Sequence, residues 1–192
     1  MNVRQLFDLT GRVAIVTGGT GLYGTPISEA LAEAGAHVII ASRNAERCAA
    51  WAEELKTRGL EASSESFDLG DEASILQFRD RVLHDFGAID ILVNNSVGRS
   101  MRGYGDTLDA WRRSMQVNAD GVFAIARAFL DHMMERGKGS MINISSIQGV
   151  VGPDFGNYVG TKMPTPPDYQ IHTQGLIGLT KSAAKEVSKR GI

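Results

Sequence analysis

Short apolar, β-rich runs alternate with longer helical patterns along this chain, and that alternation narrows its possible folds more than any other feature. The runs cover residues 13–17, 37–41, 62–67, 89–93 and 140–145, and helical periodicity fills about 22–34, 44–58, 71–86, 107–136 and the stretch from Asp168 onward. A helix after every strand implies parallel strands joined by crossovers. Runs such as Val13 to Thr17 and Ile89 to Val93 carry apolar residues in succession, as strands covered on both faces do. The right-handed crossover rule then leaves an α/β fold built on a doubly wound parallel sheet. No repeat, linker or low-complexity tract divides residues 1–192, so a single domain is expected.

Charge and cysteine usage exclude several classes of partner. The formal charge of −2 gives no long-range field toward nucleic acid or an anionic membrane, which leaves a small molecule as the expected partner. No run of about 18 apolar residues suggests a membrane span, and the N-terminus has no charged-then-apolar leader pattern. The lone Cys48 has no internal disulfide partner and reads as a small packing residue of a helix. A cytoplasmic protein without a metal site is the expectation.

The first strand-to-helix turn reads Thr17-Gly18-Gly19-Thr20-Gly21-Leu22-Tyr23-Gly24. Glycines there let the backbone approach a pyrophosphate, whose charge meets the free amides and positive dipole end of the following helix. An ordinary tight turn uses the same residue type; the position in the first βα unit is what favours nucleotide binding. At the end of the second strand, where a dinucleotide presents its adenosine ribose, the chain has Ser42-Arg43 and no acid, which favours NADP(H) over NAD(H). Asp68 and Leu69, just past the third strand, are placed at the adenine edge, with Asp68 also able to cap the next helix. Asn94, Asn95 and Ser96 follow the fourth strand, where paired amides can bond both backbone and cofactor.

In order along the chain, the glycine turn, Asp68, Asn94-Asn95, Asn118 within Val117-Asn118-Ala119, Asn143-Ile144-Ser145-Ser146 and Gly178-Leu179-Thr180-Lys181 resemble the short-chain dehydrogenase/reductase family over essentially the whole length. The resemblance implies a Rossmann-type fold, NAD(P)(H), and hydride transfer at a carbonyl or alcohol carbon of a small polar substrate such as a sugar or polyol. It also implies a dimer or tetramer packed through the helices after the fourth and fifth strands. Family members usually continue with two more strands, so the chain reads as truncated after the helix that follows the fifth strand. An impaired dinucleotide-binding protein, a partner subunit or a fragment without turnover is the alternative. Two departures stand out: Gly21-Leu22 shifts the usual glycine spacing, and Ser96-Val97-Gly98 replaces the end of the usual asparagine motif.

The family mechanism implies a tyrosine that exchanges a proton with the substrate oxygen, a serine that orients that oxygen, and a lysine one helical turn from the tyrosine. A phenol with an ordinary pKa of about 10 is a poor base near neutrality until a cation favours its anion. By motif position Ser146 is the serine, and Asn118 holds a water that links the lysine to solvent. Two tyrosines compete. Tyr158 has Lys162 four residues on, but Gly156, Gly160, Pro164, Pro166 and Pro167 argue for a loop rather than one helix face. Tyr169 follows Asp168, a good N-cap, and opens a sustained helical pattern in the family's register, yet Thr173 stands at the lysine position. On that register residues 158–168 form an insertion. Lys162 could reach in from it, or His172 could assist.

Overall fold

The computed structural model describes residues 2–163 and 166–192. A short helix α1 (Val3–Leu6) precedes β1 (Val13–Thr17), α2 (Gly24–Glu33), β2 (His37–Ser42), α3 (Ala45–Thr57), β3 (Ala62–Ser66), α4 (Glu72–Phe86), β4 (Ile91–Asn94), α5 (Leu108–Met115), α6 (Val122–Arg136), β5 (Ser140–Asn143) and α7 (Pro167–Val187). The strands form one parallel sheet in the order β3-β2-β1-β4-β5. The chain winds outward from β1 to β3, then crosses back to β4 on the other side of β1. The carboxyl ends of β1 and β4 therefore diverge at a switch point, the place where such sheets hold ligands.

Strand side chains alternate between two cores. Ile15, Ile39 and Leu92 meet α4 and α6 through Ile75, Phe78, Ile125 and Phe129, whereas Val16, Val38, Ile40 and Val93 meet α2 and α3 through Ala32, Ala52 and Leu55. Cys48 is buried in the second core, with its sulfur 3.0 Å from Ser42 Oγ, a packing position. The two edge strands, β3 (Ala-Ser-Ser-Glu-Ser) and β5 (Ser-Met-Ile-Asn), depart from a continuous apolar run and are partly exposed.

Three local features differ from the sequence expectation. The single long helix expected from about Thr107 is interrupted at Gln116–Gly121 by a π-helical segment, which joins α5 to α6 and leaves the helical periodicity of the sequence almost unbroken. Asp168 does not cap the last helix: Pro166 holds the N-cap and Pro167 the first turn, so Asp168 lies one step inside, buried, and accepts a hydrogen bond from Ser114 Oγ. The cap of α4 is Asp71, whose carboxylate accepts from Ala73 N, while Asp68 Oδ1 accepts from Gly70 N at 2.9 Å.

Beneath the sheet, Asp90 is 8% exposed, accepts from Val13 N, and faces Arg12, Arg136 and Lys138 at 3.3–3.5 Å. Asp90→Ala removes the acceptor that anchors β1 and gathers these cations, and is expected to cost about 2 kcal/mol in a urea titration. An unchanged midpoint would show that the cluster contributes nothing net.

Candidate active site

The glycine turn exists because two backbones must touch. A Cβ on Gly24 would fall 2.0 Å from Gly18 O, and Gly18 itself has φ +62° with Ser96 Cα 3.1 Å from where its Cβ would sit. Thr17 and Asn95 lock this turn to the loop after β4. Asn95 Nδ2 donates to Thr17 O and Gly18 O, both at 3.1 Å, while Thr17 Oγ1 accepts from the amides of Asn95 and Ser96. The turn and that loop bound a cleft of about 460 Å³. Gly18, Thr20, Gly21, Leu22 and Tyr23 form one wall, Ser42 and Arg43 a second, and Asp68, Leu69, Asn95 and Ser96 a third. Gly19 and Gly24 are not part of its surface: Gly19 lets the turn lie against Val16 of β1 and Ile40 of β2, and Gly24 lets the first turn of α2 lie against Gly18 and Gly19. Arg47, which the sequence reading missed, also lines the cleft and donates from Nη2 to Thr20 O at 3.0 Å. Its signal was available: α3 begins at Ala45, so Arg47 sits in the first turn facing the glycine loop.

A second, smaller cavity of about 100 Å³ adjoins the cleft through Tyr23, Asn95, Ser96, Val97 and Arg99, which line both. Its other walls include Asn94, Asn118, Ser145, Tyr169, His172 and Thr173. Asn94 is buried and donates to Asn143 Oδ1, and its own Oδ1 has no partner. Asn118, in the π segment, clamps the loop after β4: Oδ1 accepts from Gly98 N at 2.7 Å, and Nδ2 donates to Gly98 O and to Ser114 Oγ. The one amide thus ties the loop both to the π segment and, through Ser114, to the preceding turn of α5.

Tyr169 and Tyr158 are placed very differently. Tyr169 lines the small cavity, its ring edge-on to His172 at 5.3 Å and under the Arg99 guanidinium at 5.9 Å. Tyr158 ends a 3₁₀ turn, Phe155–Tyr158, its hydroxyl meets Gln148 Nε2, and it lines neither cavity. Lys162 is exposed on the loop beyond it and lines neither cavity. Pro164, invoked to break a helix there, lies outside the described residues. The serines also divide. Ser145 lines the small cavity and donates to Thr173 O at 2.8 Å, whereas Ser146 Oγ accepts from Gln148 N and caps the turn at Ile147–Gly149. Thr173 turns its hydroxyl back onto its own helix, donating to Tyr169 O at 2.6 Å. Burial holds the His172 imidazole below the ordinary histidine range, opposed by Asp168 and reinforced by Arg99. Its Nε2 is buried without a partner.

These residues fit a nicotinamide dinucleotide: a glycine cradle with no room for a Cβ, a helix N-terminus, a long cleft with arginines at one end, and unpartnered buried polar atoms at the other. The short-chain dehydrogenase family profile matches residues 12–192. The chain belongs to that family. With it, the chain is an oxidoreductase that works with a nicotinamide dinucleotide. It is 36% identical over 188 residues to a 3-oxoacyl-[acyl-carrier-protein] reductase of Aquifex aeolicus, covering 96% of this chain and 71% of that protein. Among solved structures it resembles a gluconate 5-dehydrogenase of Burkholderia cenocepacia in complex with NADP and tartrate (TM-score 0.87, 34% identity, 100% of this chain and 71% of that one). It also resembles an NAD⁺-bound xylitol dehydrogenase (TM-score 0.83, 28% identity, 95% and 67%). Among the described residues, no helix is long and apolar enough to cross a membrane.

Proposed function

We propose that this oxidoreductase uses NADP(H) in preference to NAD(H) and acts on the alcohol or carbonyl carbon of a small polar substrate of sugar or polyol type, with Tyr169 as its proton-transfer group. The observation that carries the proposal is the position of Tyr169 in the wall of a small cavity that opens from the dinucleotide cleft. Gluconate and xylitol name the hydroxylated class among similar structures, and Asn94, Asn118, Ser145 and His172 put polar side chains in the cavity walls that such a substrate would meet.

When bound, the dinucleotide supplies the acceptor or donor of a hydride. The chain does the rest. Arg43 and Arg47 would hold the ribose phosphate, Asp68 and Leu69 would face the adenine, and the amides of the Gly18–Tyr23 turn would hold the pyrophosphate at the start of α2. Asn94, Asn95 and Ser96 would floor the nicotinamide end. Tyr169 takes the hydroxyl proton of an alcohol substrate as its carbon is oxidised, and returns a proton to the oxygen in the reverse direction. Ser145 or Ser146 orients that oxygen; alanine at each, assayed for KM and kcat, separates them.

The Arg43→Ala/Arg47→Ala double variant is expected to weaken NADPH binding at least about tenfold and to leave NADH binding nearly unchanged, because charge-assisted hydrogen bonds to a phosphate contribute about 1.5–3 kcal/mol each. Equal losses for both dinucleotides in a fluorescence titration would contradict the NADP preference. Leu108 on α5 and Phe123 on α6 are exposed and support self-association through the helices after β4. Light scattering reads that directly: a dimer or tetramer agrees with it, and a monomer at assay concentration does not. Binding of NADPH with no absorbance change against any hydroxylated or carbonyl substrate would overturn the proposed activity.

A further inference from the structure

Proton transfer through a phenol near neutrality needs a positive charge close to the ring and oxygen over which the phenolate charge is spread. Thr173 supplies none: its hydroxyl is committed to the Tyr169 carbonyl of its own helix. Lys162 is exposed and outside the cavity walls. His172 is buried, with its imidazole held below the ordinary histidine range chiefly by that burial, so it is neutral at pH 7. The titratable and charged groups around Tyr169 among the described residues are His172 and Asp168 on α7, Tyr23 before α2, and Arg99 on the loop after β4. Asp168 points into the protein toward Ser114 Oγ. Arg99 is the permanent cation in this set.

We propose that Arg99 supplies, from the loop after β4, the positive charge that lets Tyr169 exchange a proton, so that this site carries its cation on a loop rather than on the tyrosine's helix.

The geometry supports this in three ways. The guanidinium lies 5.9 Å from the Tyr169 ring centroid, within cation–π range. Among the described residues no carboxylate forms an ion pair with Arg99, so its charge is not neutralised locally. Arg99 also lines both the dinucleotide cleft and the small cavity, which puts it where the two chambers meet, and its charge extends inward far enough to disfavour protonated His172. The loop that carries it is held in place: Asn118 bonds both backbone groups of the adjacent Gly98, and Asn95 ties the start of the loop to the glycine turn. The inference rests on Tyr169 being the proton-transfer group of the proposed function. In oxidation the alcohol C–H bond breaks as its hydride passes to the oxidised nicotinamide, the O–H proton passes to the Tyr169 oxygen, and the carbonyl forms. Arg99 is a positioning and charge-supplying residue and exchanges no proton.

The test reads single-turnover hydride transfer, with NADP and a polyol such as xylitol both in excess. Arg99→Met is expected to lower the rate at least about tenfold, and Arg99→Lys to keep most of it. Adding Thr173→Lys to Arg99→Met should return the rate toward its starting value, which a merely structural role for Arg99 does not predict. An unchanged rate in Arg99→Met, or the loss appearing in Lys162→Ala instead, overturns the proposal. A wild-type chain without any hydride transfer overturns the proposed function, whereas wild-type transfer that survives Arg99→Met overturns this inference alone.

Discussion

Gly24→Ala is expected to abolish NADPH binding and to lower stability by about 3 kcal/mol. The added carbon would sit 2.0 Å from Gly18 O and 2.7 Å from Gly19 Cα, and both are backbone atoms of the turn that must face the pyrophosphate. A flexible side chain could move aside; this backbone cannot, because Gly18 O is held by Asn95 Nδ2 and by Gly21 N. Relief must come by pushing α2 away from β1, which displaces the helix N-terminus from the ligand and opens the core at Ala32 and Val16. Thermal denaturation and an NADPH titration check both halves. Gly175→Ala is the matched control: it lies within α7 with open space around it, so alanine there is expected to stabilise the chain by about 0.5–1 kcal/mol. Wild-type dinucleotide affinity in Gly24→Ala would mean that the glycine turn is not the pyrophosphate site.

Tyr169→Phe carries the second large effect, a loss of hydride transfer of roughly 10²- to 10⁴-fold, the usual contribution of a positioned general acid or base. Phenylalanine keeps the ring that meets His172 edge-on and lies under Arg99, so the cavity retains its shape and loses only the hydroxyl. Dinucleotide affinity should hold, since phenylalanine keeps the ring that bounds the small cavity and leaves the long cleft, which takes the adenosine and pyrophosphate, untouched. Tyr158→Phe should leave turnover unchanged, because that hydroxyl is engaged by Gln148 outside both chambers. Single-turnover absorbance of the nicotinamide, with substrate in excess, separates the chemical step from binding. A loss in Tyr158→Phe that matches or exceeds the loss in Tyr169→Phe would reverse the assignment.

The parts of this molecule that were legible in its sequence are those governed by short-range pattern. Val13–Thr17 and Ile91–Asn94 announce themselves as buried parallel strands because both of their faces meet helices, and the glycine turn is readable because backbone contact between Gly18 and Gly24 admits no side chain. The parts that were not legible depend on contacts distant in the chain. Asp168 follows a proline and resembles a cap, but its carboxylate is drawn inward by Ser114, 54 residues earlier, and Pro166 takes the cap instead. The π segment at Gln116–Gly121 interrupts a helix whose apolar spacing barely registers it, and Asn118, which holds Gly98, lies within it. Arg99 has no periodic signal because it lies in a loop, and its significance comes only from the approach of α7, which begins 68 residues later at Pro167. The sequence also named Ser146 by position, whereas in the fold it is Ser145 that shares a cavity wall with Tyr169.

The central claim, that the long cleft holds the dinucleotide with its reactive end against Tyr169, is tested most directly by a crystal structure of the chain with NADP bound. The expected result has the 2′-phosphate beside Arg43 and Arg47, the pyrophosphate on the Gly18–Tyr23 turn, and the nicotinamide entering the cavity between Asn94 and Tyr169, under Arg99. A nicotinamide directed instead toward Tyr158 and Lys162, with the Tyr169 cavity closed behind it, would contradict the claim.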